Sequence, residues 1–379
     1  MKKILMTASE ASHFKNFHIP YIKYLLNNNI EVYTASRGNF NYAGVHHIEI
    51  PYKKKLLSLG NIGTIFKLAS IIRKNNFDAV YTNSTLAGFI GRTAVGLCGK
   101  KTKAIHICHG YLFDDDKSLR SRLYVLFEKL VKNRTDILAV MNSDDYQIAE
   151  KYRLSKNIVF INGMGLSAEK FAPVTVNEID SFKKKHKIGE NEYLFLCVGE
   201  FSERKHQQTI IEACSLIEND NFKVIFAGDG SLLDFCKELS RKKRVDDKTL
   251  FLGHCSNVNL LYRACGCLIS ASRYEGMPFN VMEALYCGED AILTDVKGNR
   301  DLALEHNLRT YNFSDPTELS RHMSDLLRTH SQNRKSISDK GKTESRLNPK
   351  YLIENTLSVN LSLLGMTDSA SNGKIPKPQ

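Results

Sequence analysis

Along almost the whole chain, short runs of apolar residues alternate with longer stretches in which apolar residues recur every three or four positions. A short apolar run predicts a buried strand, and the three-to-four spacing predicts a helix with one apolar face. The predicted strands are residues 4–7, 32–35, 79–82, 104–108, 137–140, 158–161, 193–198, 223–227, 250–252, 267–270 and 291–293. This alternation is typical of α/β proteins with parallel sheets covered by helices.

The helical stretches fall between these strands. Helices are predicted over residues 17–26 and beginning near Thr85, Ser118 and Ser143. A further helix carries five apolar residues on one face: Ile62, Ile65, Phe66, Ala69 and Ile72. The spacing within each stretch is that of an α-helix rather than a strand.

Residues 163–187 interrupt the alternation, because they show no clear period and contain Pro173. We therefore predict two Rossmann-like, doubly wound domains. The predicted division is an N-terminal domain over 1–168, a linker over 169–187, a C-terminal domain over 188–345, a helix over 346–364 that packs back on the N-terminal domain, and a flexible polar tail over 365–379.

Ligands of such sheets bind beyond the carboxyl ends of the strands. The site is therefore expected in a cleft where the two domains face each other.

The net charge of +12 is concentrated in the first half of the chain. Residues 1–168 contain 24 Lys and Arg against 12 Asp and Glu, whereas the remainder contains 29 of each class. This asymmetry predicts an anionic partner for the N-terminal half: nucleic acid, a membrane surface or a phosphorylated substrate. Nucleic acid is disfavoured, because no basic stripe interleaved with aromatic residues occurs.

A predicted helix in the basic half bears on the membrane alternative. Its apolar face is made of Leu119, Leu123, Leu126, Phe127 and Leu130, and its other faces carry Arg120, Arg122, Lys129, Lys132 and Arg134. The apolar face alone is expected to cover the chain's own sheet. The charge excess nevertheless favours contact with an anionic membrane surface, as interfacial helices make.

Localisation follows from what the sequence lacks. The first ten residues contain no apolar run long enough for a secretory signal, and no later run is long enough to span a bilayer. The nine cysteines lack the spacing of a zinc site or a disulfide framework, as expected for reduced thiols. A cytoplasmic protein, peripheral at the inner face of the cell membrane, is expected.

The segment from Ser272 to Gly288 carries the sharpest chemical signal. Glu275 and Gly276 follow a predicted strand, and Pro278 suits the first turn of the next helix. Amides at a helix N-terminus can hold a diphosphate. A carboxylate can accept two sugar hydroxyls, so Glu275 and Glu283 can hold a transferred sugar and a ribose. The alternative is a capped helix with two solvated acids, which the strand–loop–helix context disfavours.

Two further loops follow predicted strands. Gly199 permits a tight turn beside a ligand, and Arg204 and Lys205 can neutralise a pyrophosphate. The alternative for these cations is an exposed helix start, where basic residues oppose the helix dipole. Ala227-Gly228-Asp229-Gly230 predicts either a phosphate loop or a simple turn, and the loop ending at Val258 can present backbone groups to a base.

These motifs together resemble the family 4 retaining glycosyltransferases of the GT-B fold. The resemblance also includes Phe251-Leu-Gly253 and Gly298-Asn-Arg-Asp301, and it covers the chain up to about residue 364. His13-Phe-Lys-Asn-Phe-His-Ile-Pro20 and Ile107-Cys-His109-Gly110 are similar to the capsule and exopolysaccharide branch of that family.

The resemblance implies roles for individual residues. Arg204 and Lys205 would bind the diphosphate, Glu275 the donor sugar and Glu283 the ribose, with His109 near the anomeric carbon or the acceptor. The implied catalytic residues are His109 and Glu275, and the implied donor-binding residues are Ser12, Gly199, Arg204, Lys205, Gly228, Val258, Gly276, Met277, Pro278, Phe279, Asn280 and Glu283. The loop Ser9 to His13 would close over the phosphates, although it lacks the family's usual Gly-Gly.

With two cations on the diphosphate, no metal is required. Asp114-Asp115-Asp116 is interpreted as solvated acids near a helix start rather than a metal site. Glu289-Asp290 replaces the residues usual after the Cys-Gly turn, a change expected to affect packing more than chemistry.

The resemblance implies transfer of a sugar, with retention, from a nucleotide-sugar co-substrate to a lipid-diphosphate-linked saccharide in bacterial capsule, exopolysaccharide or O-antigen synthesis. A UDP-sugar is expected, with N-acetylhexosamine or galactose as the sugar. The alternatives are a nucleotide-sugar 2-epimerase of the same fold, which would leave the basic half unexplained, and an inactive partner subunit, against which Glu275, Arg204 and Lys205 argue.

Overall fold

The computed structural model describes residues 2–53, 58–99, 102–116, 118–218, 221–332, 344–363 and 365. The chain divides into two compact units. The first unit comprises Met1–Gly165 together with the C-terminal residues from Ile353 onward, and the second is Leu166–Leu352. Within the described residues, no helix combines the length and apolarity that crossing a membrane requires. The predicted tail lies outside these residues, except for Gly365.

The first unit is built on a seven-stranded, wholly parallel sheet. Its strands are β1 (Lys3–Glu10), β2 (Glu31–Arg37), β3 (Val45–Glu49), β4 (Ala79–Asn83), β5 (Lys103–Ile107), β6 (Ile137–Val140) and β7 (Ile158–Phe160). The spatial order is β3-β2-β1-β4-β5-β6-β7. The central strand β4 is buried along its whole length, as expected where helices cover both faces of a sheet.

Six helices of the first unit connect these strands: α1 (Ala11–Phe17), α2 (Ile19–Asn27), α3 (Gly60–Asn75), α4 (Thr85–Leu97), α5 (Leu119–Val131) and α6 (Ser143–Tyr152). The Ser118 and Asn142 side chains cap α5 and α6 by accepting from backbone amides of the first turn. The helix predicted over 17–26 corresponds to α2, and the additional helix α1 precedes it. The chain turns at His18, and Pro20 suits the first turn of α2.

The second unit repeats the plan with six parallel strands. These are β8 (Tyr193–Val198), β9 (Phe222–Ala227), β10 (Thr249–Gly253), β11 (Cys267–Ser270), β12 (Asp290–Thr294) and β13 (Arg309–Tyr311), in the order β10-β9-β8-β11-β12-β13. Its helices are α7 (Val176–Lys185), α8 (Gln208–Cys214), α9 (Leu233–Lys242), α10 (Val258–Ala264), α11 (Phe279–Tyr286), α12 (Asn299–His306) and α13 (Pro316–Gln332).

The segment predicted as a linker contains a helix of the second unit. Helix α7 occupies most of residues 169–187 and contacts α10. Thr175 and Glu178 form a reciprocal capping box at its start. A capping box marks a helix N-terminus in the sequence even where the hydrophobic periodicity is weak. The structure therefore places the division between the units at Gly165 and Leu166, not after a linker.

The last helix returns to the first unit. Helix α14 (Ile353–Leu363) contacts α2, and Asn360 donates hydrogen bonds of 2.8 Å to the Tyr21 hydroxyl and to the Gly163 carbonyl. The predicted helix over 346–364 thus corresponds to a shorter helix. Its N-terminal part is a loop and the short 3-10 helix Pro349–Tyr351, which belong to the second unit.

In each sheet the strand order reverses once. The reversal lies between β1 and β4 in the first unit and between β8 and β11 in the second. At such a switch point the following connections leave to opposite sides, so a crevice opens beyond the carboxyl ends of the two strands. The two switch points are therefore the expected positions of ligand-binding sites.

Candidate active site

At the switch point of the second unit, two cations converge on one carboxylate. Arg204 and Lys205 lie in the loop after β8, and Glu275 lies in the loop after β11. The Oε1 oxygen of Glu275 is 2.8 Å from Arg204 Nη1 and 2.7 Å from Lys205 Nζ. The Ser272 hydroxyl donates to the same oxygen over 2.7 Å. The loops that the sequence analysis selected are therefore brought together within this unit.

The electrostatic state of Glu275 follows from these contacts. Burial disfavours its ionised form, but Lys205 and Arg204 outweigh that effect, and their charges hold the pKa of Glu275 below its ordinary value. Glu275 is thus a carboxylate at neutral pH, and the group as a whole carries one excess positive charge. The exposed fraction is 35% for the Arg204 side chain but 13% for Lys205, so Arg204 is the more accessible cation.

Backbone contacts fix the loop that carries Glu275. The Arg273 amide donates to the Arg204 carbonyl over 2.8 Å, which joins the two loops directly. On the other side, Gly298 packs so closely that a Cβ atom there would collide with the carbonyls of Glu275 and Gly276. Because Gly298 also has a φ of +79°, glycine is required there on both counts.

Helix α11 begins beside this group. It starts at Phe279, and Pro278 takes the N-cap position with φ −75° and ψ 110°, rather than a position inside the first turn as the sequence predicted. Asn280 donates to the Val198 carbonyl at the end of β8 over 3.1 Å. Met277 is buried. The start of the helix is thus tied to the strand from which the Arg204–Lys205 loop leaves.

Glu283 lies on α11, about one turn after the first residue of the helix, and its surroundings differ from those of Glu275. The buried Tyr262 hydroxyl donates to its Oε2 oxygen over 2.7 Å. Burial raises the pKa of Glu283 to about 7, and the hydrogen bond from Tyr262 only partly opposes that rise. The surroundings therefore shift the pKa values of the two glutamates of this motif in opposite directions, which the sequence did not indicate.

Gly199 and Gly228, which the resemblance assigns to donor binding, lie where the backbones of two loops pack against each other. A Cβ atom on Gly228 would collide with the Gly199 carbonyl, and the Gly199 amide donates to the Ala227 carbonyl over 3.0 Å. The two loops after β8 and β9 therefore pack backbone against backbone. Val258 is the first residue of α10, whose N-terminus is capped by the Asn257 side chain.

A cavity of about 420 Å³ lies at the switch point of the first unit. It is lined by Ser9, Glu10, His13, Arg37, Tyr52, Ser84, Thr85, Leu86, His106, Cys108, His109, Gly110, Tyr111, Leu112 and Glu128. His109 therefore lines a cavity of the first unit. The segment Ser9 to His13 is not a loop, because β1 runs to Glu10 and α1 begins at the next residue. Ser12 is exposed on α1, and the described lining contains Ser9 instead.

Three histidines meet at one side of this cavity. His13 Nε2 lies 3.3 Å from His109 Nε2, which lies 3.3 Å from the Asn83 Oδ1 oxygen. Burial lowers the pKa of His13 to about 4 and holds the pKa values of His18 and His109 well below the ordinary value. The fully buried His18 has no hydrogen-bond partner for either ring nitrogen among the described residues. An unpaired buried donor of this kind costs about 1–3 kcal/mol.

Comparison with known proteins identifies the chain. Residues 178–344 match the model of the family described as glycosyl transferases group 1, and residues 31–160 match that of the glycosyl transferase 4-like domain. The two matches together cover most of both units. This chain belongs to the glycosyltransferases. The resemblance stated from its motifs is confirmed.

Two named proteins are similar to this chain in sequence. The glycosyltransferase is 28% identical over 307 residues to a Bacillus subtilis protein that carries the name glycosyltransferase EpsD, covering 79% of this chain and 81% of that protein. It is also 28% identical over 252 residues to the Escherichia coli UDP-Gal:alpha-D-GlcNAc-diphosphoundecaprenol alpha-1,3-galactosyltransferase. That match covers 63% of each chain.

Solved structures establish the fold class of the glycosyltransferase. HepE of Anabaena, crystallised in complex with UDP, matches with a TM-score of 0.74 at 14% identity, over 97% of this chain and all of that one. WaaG, a glycosyltransferase of lipopolysaccharide biosynthesis, matches with a TM-score of 0.69 at 15% identity, over 94% and 99% of the two chains. The predicted GT-B type, with two parallel-sheet Rossmann-like domains, is confirmed.

The Asp114–Asp116 run of the glycosyltransferase forms local contacts. Asp115 is 2.5 Å from Lys151 Nζ, and Asp116 accepts from the Ser118 hydroxyl over 2.8 Å at the start of α5. Within the described residues, the group with metal-ligand spacing is made of His13, His18 and His109 instead.

Helix α5 of the glycosyltransferase turns its leucines outward, contrary to our expectation that they cover the sheet. Leu119 is 83% and Leu130 is 63% exposed, with Leu123 and Leu126 also exposed between them. The buried face instead consists of Ser121, Val125, Glu128 and Val131. This face is polar because Glu128 forms a two-pronged ion pair with the buried Arg92 of α4. We call Leu119, Leu123, Leu126 and Leu130 the exposed leucine face.

Sequence reasoning missed several residues that line the cavity of the first unit. Ser9 and Glu10 end β1, and Ser84 follows β4, so all three lie at the switch point of the sheet. Their positions after strands would have indicated a ligand site if the strand order had been known. Arg37 ends the neighbouring strand β2 and forms an ion pair with Glu10. Strand order is a long-range property that the periodicity of one sequence does not contain.

Proposed function

We propose that this glycosyltransferase moves a sugar from a UDP-sugar, with retention of anomeric configuration, to a lipid-diphosphate-linked saccharide at the inner face of an anionic membrane. The proposed sugar is an N-acetylhexosamine or galactose. The proposal extends to a role in capsule, exopolysaccharide or O-antigen synthesis. The single observation that carries it is the convergence of Arg204, Lys205 and Glu275 at the switch point of the second unit.

The proposed chemistry starts at this group. Cleavage of the donor builds negative charge on the departing diphosphate, and preorganised cations stabilise that charge in the transition state. Arg204 offers a planar fork and Lys205 a point charge, a combination suited to two linked phosphates. Because these two cations are available, the step that we propose needs no metal ion. The amides from Met277 to Asn280 at the start of α11 are proposed to complete the cradle.

Glu275 is proposed to change partners during the cycle. Its Oε1 oxygen accepts hydrogen bonds from Lys205 and Ser272 and forms an ion pair with Arg204. An incoming diphosphate would take over Arg204 and Lys205, and the released carboxylate would accept hydroxyls of the transferred sugar. Glu283 is proposed to accept the ribose hydroxyls. The exchange keeps both cations paired in each state, which avoids the cost of an isolated buried charge.

The cavity of the first unit is the proposed acceptor site. It carries His109, which we propose orients the attacking hydroxyl, and Arg37, whose charge is balanced by Glu10. Retention rests on the family resemblance, and we propose a front-face attack in which the leaving phosphate receives the acceptor's proton. The E. coli relative is named for a diphosphoundecaprenol acceptor, which supports an acceptor of this class.

The exposed leucine face is the proposed membrane contact. A leucine moved from water into an apolar environment contributes about 1.5–3 kcal/mol when fully buried. Exposed Arg120, Arg122, Lys129 and Arg134 belong to the same helix or its immediate extension, so charge complements an anionic headgroup layer. Ile62 and Phe66 of α3 are exposed as well, and α3 and α5 both contact α4.

The test is transfer by the purified full chain. A panel of UDP-sugars is incubated with an undecaprenyl-diphosphate-linked sugar in anionic vesicles, and UDP and lipid products are followed by mass spectrometry. We expect one UDP-sugar to give a product one sugar heavier, with transfer lost in Glu275→Ala and retained in the exposed control Glu238→Gln. Product anomers assigned by NMR test retention.

Other outcomes discriminate the alternatives. Conversion of the UDP-sugar without any acceptor favours the 2-epimerase. UDP-sugar binding without turnover on any acceptor favours an inactive partner subunit. Transfer that is equal in the wild type and Glu275→Ala contradicts the proposed site.

A further inference from the structure

Three structural elements of the first unit bring nitrogen ligands together. His13 lies on α1, His18 lies at the turn between α1 and α2, and His109 lies in the loop after β5. One ring nitrogen from each histidine can be chosen so that the three atoms lie within 4.8 Å of one another. The ring centroids of His13 are 5.1 Å from those of His18 and 4.6 Å from those of His109. Two of the ligands come from one short segment, and the third is distant in sequence.

Two distances around His109 match the ligand shell of a small transition metal. Four ligands at about 2.0–2.1 Å from a tetrahedral ion lie about 3.3–3.4 Å from one another. His109 Nε2 is 3.3 Å both from His13 Nε2 and from Asn83 Oδ1. The amide group of Asn83 donates to the Thr7 carbonyl over 3.3 Å, which turns its oxygen toward His109. These separations exceed the usual N–H···O hydrogen-bond distance of about 2.9–3.0 Å.

The third histidine supplies an independent observation. His18 is fully buried, and neither ring nitrogen has a hydrogen-bond partner among the described residues. A neutral imidazole has one lone pair for a metal and one N–H to spare, so coordination would satisfy its acceptor nitrogen. The nitrogen of His18 lies within 4.8 Å of the other two, so metal binding would require its ring to move closer.

We propose that His13, His18 and His109 form a binding site for a divalent transition metal of the zinc class, with the Asn83 oxygen at the fourth position. Imidazole nitrogen suits zinc, cobalt, nickel and copper, whereas magnesium and calcium prefer oxygen ligands. The ion would tie the α1–α2 turn to the loop after β5 at the wall of the 420 Å³ cavity. The ion would share His109 with the proposed acceptor site, but no step of the proposed transfer is routed through the ion, so this inference goes beyond the proposed function.

The experiment uses the full chain without a histidine tag, stripped of metal with a chelator. Cobalt(II) serves as the probe, because its visible bands are intense in tetrahedral sites and weak in octahedral ones. We expect saturable binding of one ion per chain with tetrahedral bands, displacement by zinc, and a rise in Tm with zinc but not with magnesium. The partly exposed His13 is replaced in His13→Gln, which is expected to lower cobalt affinity at least tenfold.

Two further variants complete the design. His18→Gln is expected to abolish the tetrahedral bands, and His13→Gln keeps the test valid if the buried substitution prevents folding. His46→Gln is the matched control, since the side chain of His46 is 61% exposed and lies on the edge strand β3. Weak octahedral bands, or cobalt binding that is equal in the wild type and His13→Gln, would overturn the proposal. UDP binding by the second unit is measured in the same samples, so failure of the metal site is distinct from failure of the donor site.

Discussion

The two units have their candidate sites at the same topological position, but the side chains at the two positions differ in charge. Beyond β8 and β11, two cations and a carboxylate share a net positive charge. Beyond β1, β4 and β5, burial keeps three histidines neutral and leaves a cavity. Parallel-sheet topology therefore determines where a ligand binds, and the residues in the loops determine which charge it meets.

A second contrast concerns two buried carboxylates, each paired with arginine. The Arg92 and Glu128 side chains of the first unit are 0% and 5% exposed and bind each other through both nitrogens and both oxygens. In the second unit, Arg204 remains 35% exposed, and Glu275 uses one oxygen for both cations. Arg92 is enclosed by protein and also donates to the Gly88 carbonyl over 2.9 Å, whereas Arg204 is partly open to solvent and is expected to exchange its partner for a ligand. This difference separates a structural ion pair from a binding site.

The largest effect is expected from Lys205→Ala. Loss of one preorganised charge at a developing anion lowers turnover by about 100-fold to 1000-fold. The rate of transfer with saturating UDP-sugar measures this, with the exposed Lys242→Ala on α9 as the control for lost charge. A loss below about threefold, or an equal loss in Lys242→Ala, would contradict the role of Lys205.

Arg92→Met tests the closed pair. Removing one partner leaves the Glu128 charge buried, so the free energy of unfolding is expected to fall by about 3–5 kcal/mol. Arg204→Met leaves Lys205 beside Glu275 and is expected to cost less than half as much. Denaturant unfolding compares the two variants, and Arg92→Met/Glu128→Leu should recover part of the loss. Equal destabilisation by the two arginine substitutions would remove the distinction between the pairs.

The exposed leucine face is tested by Leu126→Glu/Leu130→Glu. Two charges in place of two exposed leucines should weaken binding to anionic vesicles at least tenfold, because apolar insertion and electrostatic attraction are both reduced. Co-sedimentation with vesicles measures the change. Leu304→Glu is the control, since Leu304 is 82% exposed but lies on α12 of the second unit. Vesicle binding unchanged by the double substitution would assign the basic half to another partner.

The smallest effect is a pH dependence from Glu283. Its pKa of about 7 lies above the ordinary carboxyl value, so ionisation costs stability as the pH rises from about 4.5 to about 7. The ionised form is the better acceptor for ribose hydroxyls. UDP affinity is therefore expected to rise a few-fold between about pH 6 and about pH 8. The pH profile of UDP affinity should flatten in Glu283→Gln. An unchanged profile in this variant would contradict the proposal that Glu283 binds the ribose.

Much of the fold was predictable, because each interior strand is a short apolar run. The strands β3 and β13 were missed: β3 contains two histidines, and β13 has three residues, two of them polar. The exposed leucine face was misassigned because amphipathicity locates an apolar face without saying what covers it. Here the Arg92–Glu128 pair, formed between α4 and α5, turns that face outward.

The candidate donor group was predictable because its residues fall directly after strands. That Glu275 holds Arg204 and Lys205 was not, because 70 residues separate Lys205 from Glu275 and only the strand order joins their loops. The cluster of His13, His18 and His109 was hidden for the same reason. The pKa of Glu283 depends on burial beside Tyr262, which a motif cannot express.

The central claim is that Arg204 and Lys205 bind a nucleotide diphosphate for which Glu275 competes. Isothermal titration calorimetry with UDP tests it directly on the wild type, Lys205→Ala and Glu275→Gln. We expect Lys205→Ala to weaken UDP binding at least tenfold. Glu275→Gln should bind UDP as tightly as the wild type or more tightly, because both cations are freed, while it loses transfer. UDP affinity that is unaltered by Lys205→Ala, or weakened by Glu275→Gln as much as by Lys205→Ala, would contradict the account.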